Sequence, residues 1–347
     1  MSRADRVAAR LPEDVDALLV TEPANLRYVT GFTGSNGFAV VGPDVRRFVT
    51  DFRYVEQAKA EVEGFDLEQG PQELLAALKG FPGRLGFDDA HLSVKAWRRL
   101  TELVEDVVPA SGIIEEVRAV KEPAEIAAIR AAAELVDDLY AWLLSSGLVG
   151  RTERSVAVEL EHQMRLRGAS GPSFPTIVAS GAHGALPHGR PRDVEIAADT
   201  LVTIDMGAVL DGYCSDCTRT WATGSVSDEL AEIYALVLEA QVAALEVVRP
   251  GLLGREVDAI ARDLIAAAGH AEHFGHGLGH GVGLVPHEAP RLSRTSEVPL
   301  VAGHVVTVEP GVYLPGVGGV RIEDLVVVTE AGRDVLSTTT KELLTVS

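Results

Sequence analysis

Two carboxylates eleven residues apart, Asp205 and Asp216, lie in the stretch LVTIDMGAVLDGYCSDCTRTW, Leu201 to Trp221. Asp211-Gly212 within it is a strong signal for a two-residue hairpin turn. With that turn, Leu210 faces Tyr213, Val209 faces Cys214, and Asp205 faces Thr218. Side chains alternate along a strand, so Asp216, two places from Thr218, shares a face with Asp205. Carboxylates converging amid apolar neighbours repel each other and titrate upward unless a cation lies between them. Taken singly, each could equally be a turn acid or an acid on a solvated face.

Partners for such a cation cluster later in the chain. Gly275 to Gly283 reads GHGLGHGVG, with glycine at alternate positions. That spacing predicts an extended segment with one bare face for close backbone approach, His276 and His280 projecting together from the other. His287 lies in PHEAP. Glu309 ends the apolar run Val305–Val308, and Glu323 is embedded in GGVRIEDLVVV. Acids in apolar strands are costly unless paired or bound to metal. Alone, Glu309 could start a turn, and Arg321, on the same face as Glu323, could pair with that acid. Together the four acids carry about −4, which two divalent cations would neutralise, a neutral imidazole completing the shell. So oxygen-rich a set suits Mn2+ or Co2+ at least as well as Zn2+, and is unlike a structural zinc site. Two such metals can share a bridging hydroxide, a nucleophile for amide hydrolysis.

The rest of the chain must position these groups. Its 347 residues exceed one ordinary core, so two domains are expected, 1–118 and 119–347. Residues 1–118 read as an α/β unit, with strands at Val15–Val20, Phe38–Val41 and Arg47–Thr50. Helices are predicted at Tyr54–Val62, Gln72–Leu78 and Val94–Val104. The glycine-rich segment 31–37 lacks the spacing of a phosphate loop. It is either a flexible connection or a cover for a site. Pro123 opens a long helix, Ala124–Leu144, and Thr152 caps a second at Glu153–Arg167. Extended structure follows through the hairpin. Helices Asp228–Val248 and Arg255–Ala268 then precede strands to the C-terminus, suggesting a duplicated helix-helix-sheet domain.

Hydrophobic content of 46% and charged content of 24% describe a soluble globular protein. A net charge of −20 with pI near 4.9 argues against nucleic acid or an anionic membrane surface as partner. No signal-peptide core or membrane span is apparent, and a cytoplasmic location is expected. Cys214 and Cys217 have C-x-x-C spacing but point to opposite strand faces, against a zinc or redox role.

From Val117 onward the sequence resembles the pita-bread metallopeptidases: Xaa-Pro dipeptidase (prolidase), Xaa-Pro aminopeptidase and methionine aminopeptidase. IDMGA, SDCTRT, GHGLGHGVGL, PHEAP, TVEPG and VRIED carry the likeness. It implies an α+β pita-bread catalytic domain in which Asp205, Asp216, His280, Glu309 and Glu323 bind two divalent metals, Asp216 and Glu323 bridging. His188, in ALPHG, and His287 are implied in substrate binding and in stabilising the tetrahedral intermediate, with His276 on the pocket wall. Glu309 would also shuttle a proton, and Thr218 and Arg321 would support the ligands. The N-terminal α/β domain, with YVTGFTGSNG, resembles that of the Xaa-Pro branch, and a homodimer is implied. Arg291 either clamps a substrate carboxylate, as a dipeptidase requires, or is a solvated loop arginine. The expected activity is Xaa-Pro dipeptide hydrolysis. Alternatives are an aminopeptidase acting on longer peptides, a metal-free binding protein of this fold, and a non-peptidase C–N hydrolase.

Overall fold

Continuous apolar runs make buried strands, and the N-terminal unit, Met1–Arg118, is built around two of them. Ala17–Val20 and Gly37–Val41 pair antiparallel at the centre of a six-stranded sheet. The order is Asp66–Gln69, Arg46–Thr50, Gly37–Val41, Ala17–Val20, Arg84–Phe87 and Asp106–Pro109. The three expected strands are present. The other three escaped because DLEQ, RLGF and DVVP are four residues long and polar or mixed. Helices Arg3–Ala8, Pro23–Thr30 and Ile113–Ala119 are additional, each eight residues or fewer. The helix predicted over 72–78 is instead a 3₁₀ turn, Leu74–Leu78. Pro71 before it and Gly80, at φ +72°, after it bound the turn.

The segment 31–37 is held down within this unit rather than loose. Gly31 takes φ +81° to end a helix, and Phe32 is buried. Thr33 N donates to Glu61, and Asn36 Nδ2 donates to Asp51.

The computed structural model describes residues 1–346. The second unit begins at Ala119. A helix pair, Pro123–Ser146 and Glu153–Leu166, packs on a sheet ordered Cys217–Ala222, Leu201–Met206, Ile177–Ser180. A second pair, Asp228–Val247 and Gly254–Ala267, packs on a five-stranded sheet. Its order is Glu288–Leu292, Gly279–Gly281, Val305–Val308, Asp324–Thr329, Gly332–Val335. The helix-helix-sheet arrangement thus occurs twice. No helix among the described residues is long and apolar enough to cross a membrane.

The central hairpin keeps the expected register: Leu210 faces Tyr213, Val209 faces Cys214 and Asp205 faces Thr218. It is not one continuous ladder. The outer part, Ala208–Leu210 with Tyr213–Cys214, joins a different small sheet from the inner part. The break falls at Gly207, opposite Ser215-Asp216, where a Cβ would collide with the Ser215 carbonyl. Cys214 and Cys217 are buried and unbridged in different hydrophobic clusters.

Candidate metal centre

The break in the hairpin aims Asp216 into the space its partner strand already faces. Asp205, Asp216 and Glu323 each present a carboxylate oxygen, all within 4.8 Å of one another. His280 Nε2 lies 3.1 Å from Glu309 Oε1 and 3.7 Å from Asp216 Oδ2, so the five predicted ligands form one connected cluster. All but the half-buried Glu309 are buried. Glycine in the 277–283 segment is required by close approach: a Cβ at Gly279 would strike the Thr307 carbonyl, and one at Gly281 that of Ala289. Only Gly279–Gly281 is strand, so His276 reaches the cavity from the bend before it.

Around the acids runs a set of fixed donors. Thr218 Oγ1 donates to Glu323 Oε2 at 2.8 Å and accepts from Arg321 Nε at 3.0 Å. Arg321 Nη2 donates to Asp205 Oδ2 at 2.7 Å, and its Nη1 to the Tyr313 hydroxyl at 2.9 Å. The Tyr313 hydroxyl lies 2.9 Å from His276 Nε2. Thr307 Oγ1 donates to Glu309 Oε1 at 2.9 Å and accepts from His280 N.

The ion pair read between Arg321 and Glu323 is therefore not formed; Arg321 pairs with Asp205. Both side chains do reach the same site, meeting at the Thr218 hydroxyl, but Arg321 extends past it to Asp205. Gly318–Arg321 pairs with Gly311–Leu314, whereas Asp324–Thr329 lies in the five-stranded sheet. Ile322-Glu323 crosses between them.

Electrostatically the cluster calls for cations. Burial, then the charges of neighbouring acids, push the Asp216 and Glu323 carboxyls well above the usual range. Burial also raises Asp205, against the pull of Arg321. For Glu309 burial would do the same, but the His280 imidazole beside it holds it low. Asp205 Oδ1 and Glu323 Oε1 are buried without a hydrogen-bond partner among the described residues, a costly state that a metal ion relieves. Four carboxylates, an imidazole and two orphaned oxygens fit divalent metal.

The cluster forms one wall of a cavity of about 520 Å³. His188, His276, His287 and Arg291 all line it. The rings of His280 and His287 are 4.2 Å apart, edge to face. Burial, with His280 and Arg291 nearby, pulls His287 down to about 4, so it is neutral near pH 7. Arg291 sits opposite His280 in the ladder, exposed, with no ion pair among the described residues. An apolar wall of Phe174, Pro175, Ile177, Pro187 and Pro191 faces these groups.

Sequence reasoning missed that wall, and SGPSFPTIV carries no signal for it. Thr307 and Tyr313 were also missed. Thr307 was findable, since it stands two residues before Glu309 on the same strand face. Tyr140 is another: its hydroxyl lies 2.9 Å from Ile204 O and 2.8 Å from Cys217 O, bracing both hairpin strands.

Residues 127–330 match the Metallopeptidase family M24, and residues 3–120 match the Creatinase/Prolidase N-terminal domain. The chain belongs to metallopeptidase family M24. Its fold is accordingly an α/β N-terminal domain followed by an α+β pita-bread domain. It is 44% identical over 337 residues to the "Uncharacterized peptidase YqhT" of Bacillus subtilis, covering 95% of this chain and 96% of that one. The structure of an Xaa-Pro dipeptidase from Bacillus anthracis superposes with a TM-score of 0.96 at 40% identity, over 99% of both chains. An X-Pro aminopeptidase from Thermotoga maritima gives 0.91 at 35% identity, over 99% of this chain and 100% of that one.

Proposed function

We propose that this protein is a metal-dependent Xaa-Pro dipeptidase. Asp205, Asp216, His280, Glu309 and Glu323 would hold two divalent cations. The observation that carries the reading is the buried acid cluster with its two unpartnered oxygens. Manganese is favoured because the donor set is oxygen-rich; cobalt or zinc would suit the same donors. The chemistry such cations supply is polarisation of a carbonyl and activation of water.

The chain's own residues do the remainder. Glu309, anchored by Thr307, takes the proton released by the attacking water and passes it to the leaving prolyl nitrogen as the C–N bond breaks. Neutral His287, with His188, donates N–H to the oxygen on which negative charge develops. Arg291 holds the free carboxylate of a dipeptide, a fork-to-fork contact that an unpaired guanidinium can make. The prolyl ring lies against the apolar wall formed by Phe174, Ile177 and Pro187. His276 closes one side of the pocket, fixed by Tyr313.

A second reading, Xaa-Pro aminopeptidase on longer peptides, is supported by the likeness to the Thermotoga structure. A cytoplasmic homodimer completes the proposal, and light scattering on the purified protein tests its oligomeric part. For the activity, Asp216→Ala should abolish both metal uptake and Leu-Pro hydrolysis. Full hydrolysis by the metal-stripped variant would contradict the assignment.

A further inference from the structure

His188 sits on a segment, 181–191, that is irregular apart from a short 3₁₀ turn, Gly181–Ala185, yet supplies five residues to the cavity. Something outside the cavity must fix it. Glu153, in the first turn of helix Glu153–Leu166, has no exposed surface and does not line the cavity. Its carboxylate collects donors from both ends of the segment. At the entry, Ser180 N and Oγ donate to Oε1 at 2.9 and 2.8 Å. At the exit, Arg192 N and Nε donate to Oε2 at 3.0 Å, and Arg192 Nη2 donates to Oε1 at 3.0 Å.

A third tie reaches the middle. His183 Nδ1 lies 3.0 Å from Glu153 Oε2. Burial would raise the Glu153 carboxyl, but the Arg192 and Ser180 hydrogen bonds hold it at about 2. It is thus an acceptor only, and His183 Nδ1 carries the proton. The other ring nitrogen, His183 Nε2, packs beneath Gly189, where a Cβ would come within 3.0 Å of it. Gly189 is the residue after His188. Separately, Arg321 Nη1 donates to Pro187 O at 3.1 Å, and Gly184 packs closely against Gly319.

We infer that Glu153 is a positioning residue for the reaction: its carboxylate clasps the two ends and the His183 prop of segment 181–191 and thereby sets His188 in the cavity. The inference rests on the proposed role of His188 in substrate binding. Glutamine is nearly the same size but offers one acceptor oxygen and turns the other position into a donor, facing donors.

The test uses the full chain reloaded with manganese. Leu-Pro kinetics, bound metal, and amide exchange across residues 181–192 are measured for wild type, Glu153→Gln, His188→Ala and the double variant. Glu153→Gln should lower kcat/KM by about 10- to 100-fold. Exchange should quicken in 181–192, with bound metal unchanged. In the His188→Ala background the same substitution should cost no more than about twofold, because the two act through one group. Arg192→Ala, at a half-exposed side chain, should give a smaller loss of the same kind if Glu153→Gln does not fold. Full additivity, loss of metal, or unchanged exchange in 181–192 would overturn the inference. Wild-type activity in His188→Ala would instead remove the role of His188 and the inference with it. A damaged His188→Ala beside a fully active Glu153→Gln would overturn only the role of Glu153.

Discussion

The Thr218 hydroxyl donates to Glu323 Oε2 at 2.8 Å, fixing one oxygen of that carboxylate and leaving Oε1 unpartnered within the acid cluster. The same hydroxyl accepts from Arg321 Nε, so its proton is committed to Glu323. Thr218→Val keeps the shape and removes the hydroxyl. Metal affinity should fall by about 10- to 100-fold, as when the supporting partner of a metal ligand is lost. Competition against a chelator of known affinity measures this.

Asp216 is buried beside Glu323 and Asp205, and its carboxyl is pushed well above the usual range by burial and then by their charge. An acid whose folded pKa is raised loses stabilising free energy as pH rises above its unfolded value, so at pH 7 the metal-free protein bears the cost of this buried acid. Without metal, Asp216→Asn should therefore melt above wild type. Manganese at about a hundred times its Kd should raise wild-type Tm by roughly 5 to 10 °C and leave the variant unmoved. Calorimetry of four samples, each protein with and without metal, decides it.

The carboxylate clamp makes a selective prediction. Arg291→Ala should raise KM for Leu-Pro by about 10- to 100-fold, the worth of a charge-assisted hydrogen-bonded contact. Leu-Pro amide, which has no free carboxylate, should be hydrolysed alike by variant and parent. Equal losses on both substrates would return Arg291 to a solvated arginine.

His304 offers a pH test away from the acids. It is buried, its Nδ1 accepts from Val301 N, and burial with Lys121 nearby lowers it from 6.5 to about 4. Between those values the unfolded chain binds the extra proton, so stability is full above pH 6.5 and is lost as pH falls toward 4. The slope contributed is up to about 1.4 kcal/mol per pH unit. His304→Asn keeps an acceptor and does not titrate, so urea midpoints from pH 7 to 4 should fall less steeply than in wild type.

Much of this arrangement was legible from local chemistry. Asp211-Gly212 set the register that puts Asp205 opposite Thr218, and alternate glycines marked where strand Gly279–Gly281 meets Thr307. What escaped was decided by tertiary contact. Alternation put Arg321 and Glu323 on one side, but only the folded chain shows the Thr218 hydroxyl between them and Arg321 paired with Asp205. Tyr140 and Glu153 read as ordinary helix residues, and only packing shows one bracing the hairpin and the other gathering segment 181–191. The apolar wall at Phe174–Ile177 was unreadable for the same reason.

Hydrolysis of Leu-Pro and Leu-Pro-Gly, by protein stripped with a chelator and then reloaded with manganese, tests the central claim most directly. The account predicts no cleavage when stripped, and rapid cleavage of Leu-Pro with little of Leu-Pro-Gly when reloaded. Preference for the tripeptide would make the enzyme an aminopeptidase and remove the carboxylate clamp. Cleavage by the stripped protein, or none of either peptide with two metals bound, would contradict the account altogether.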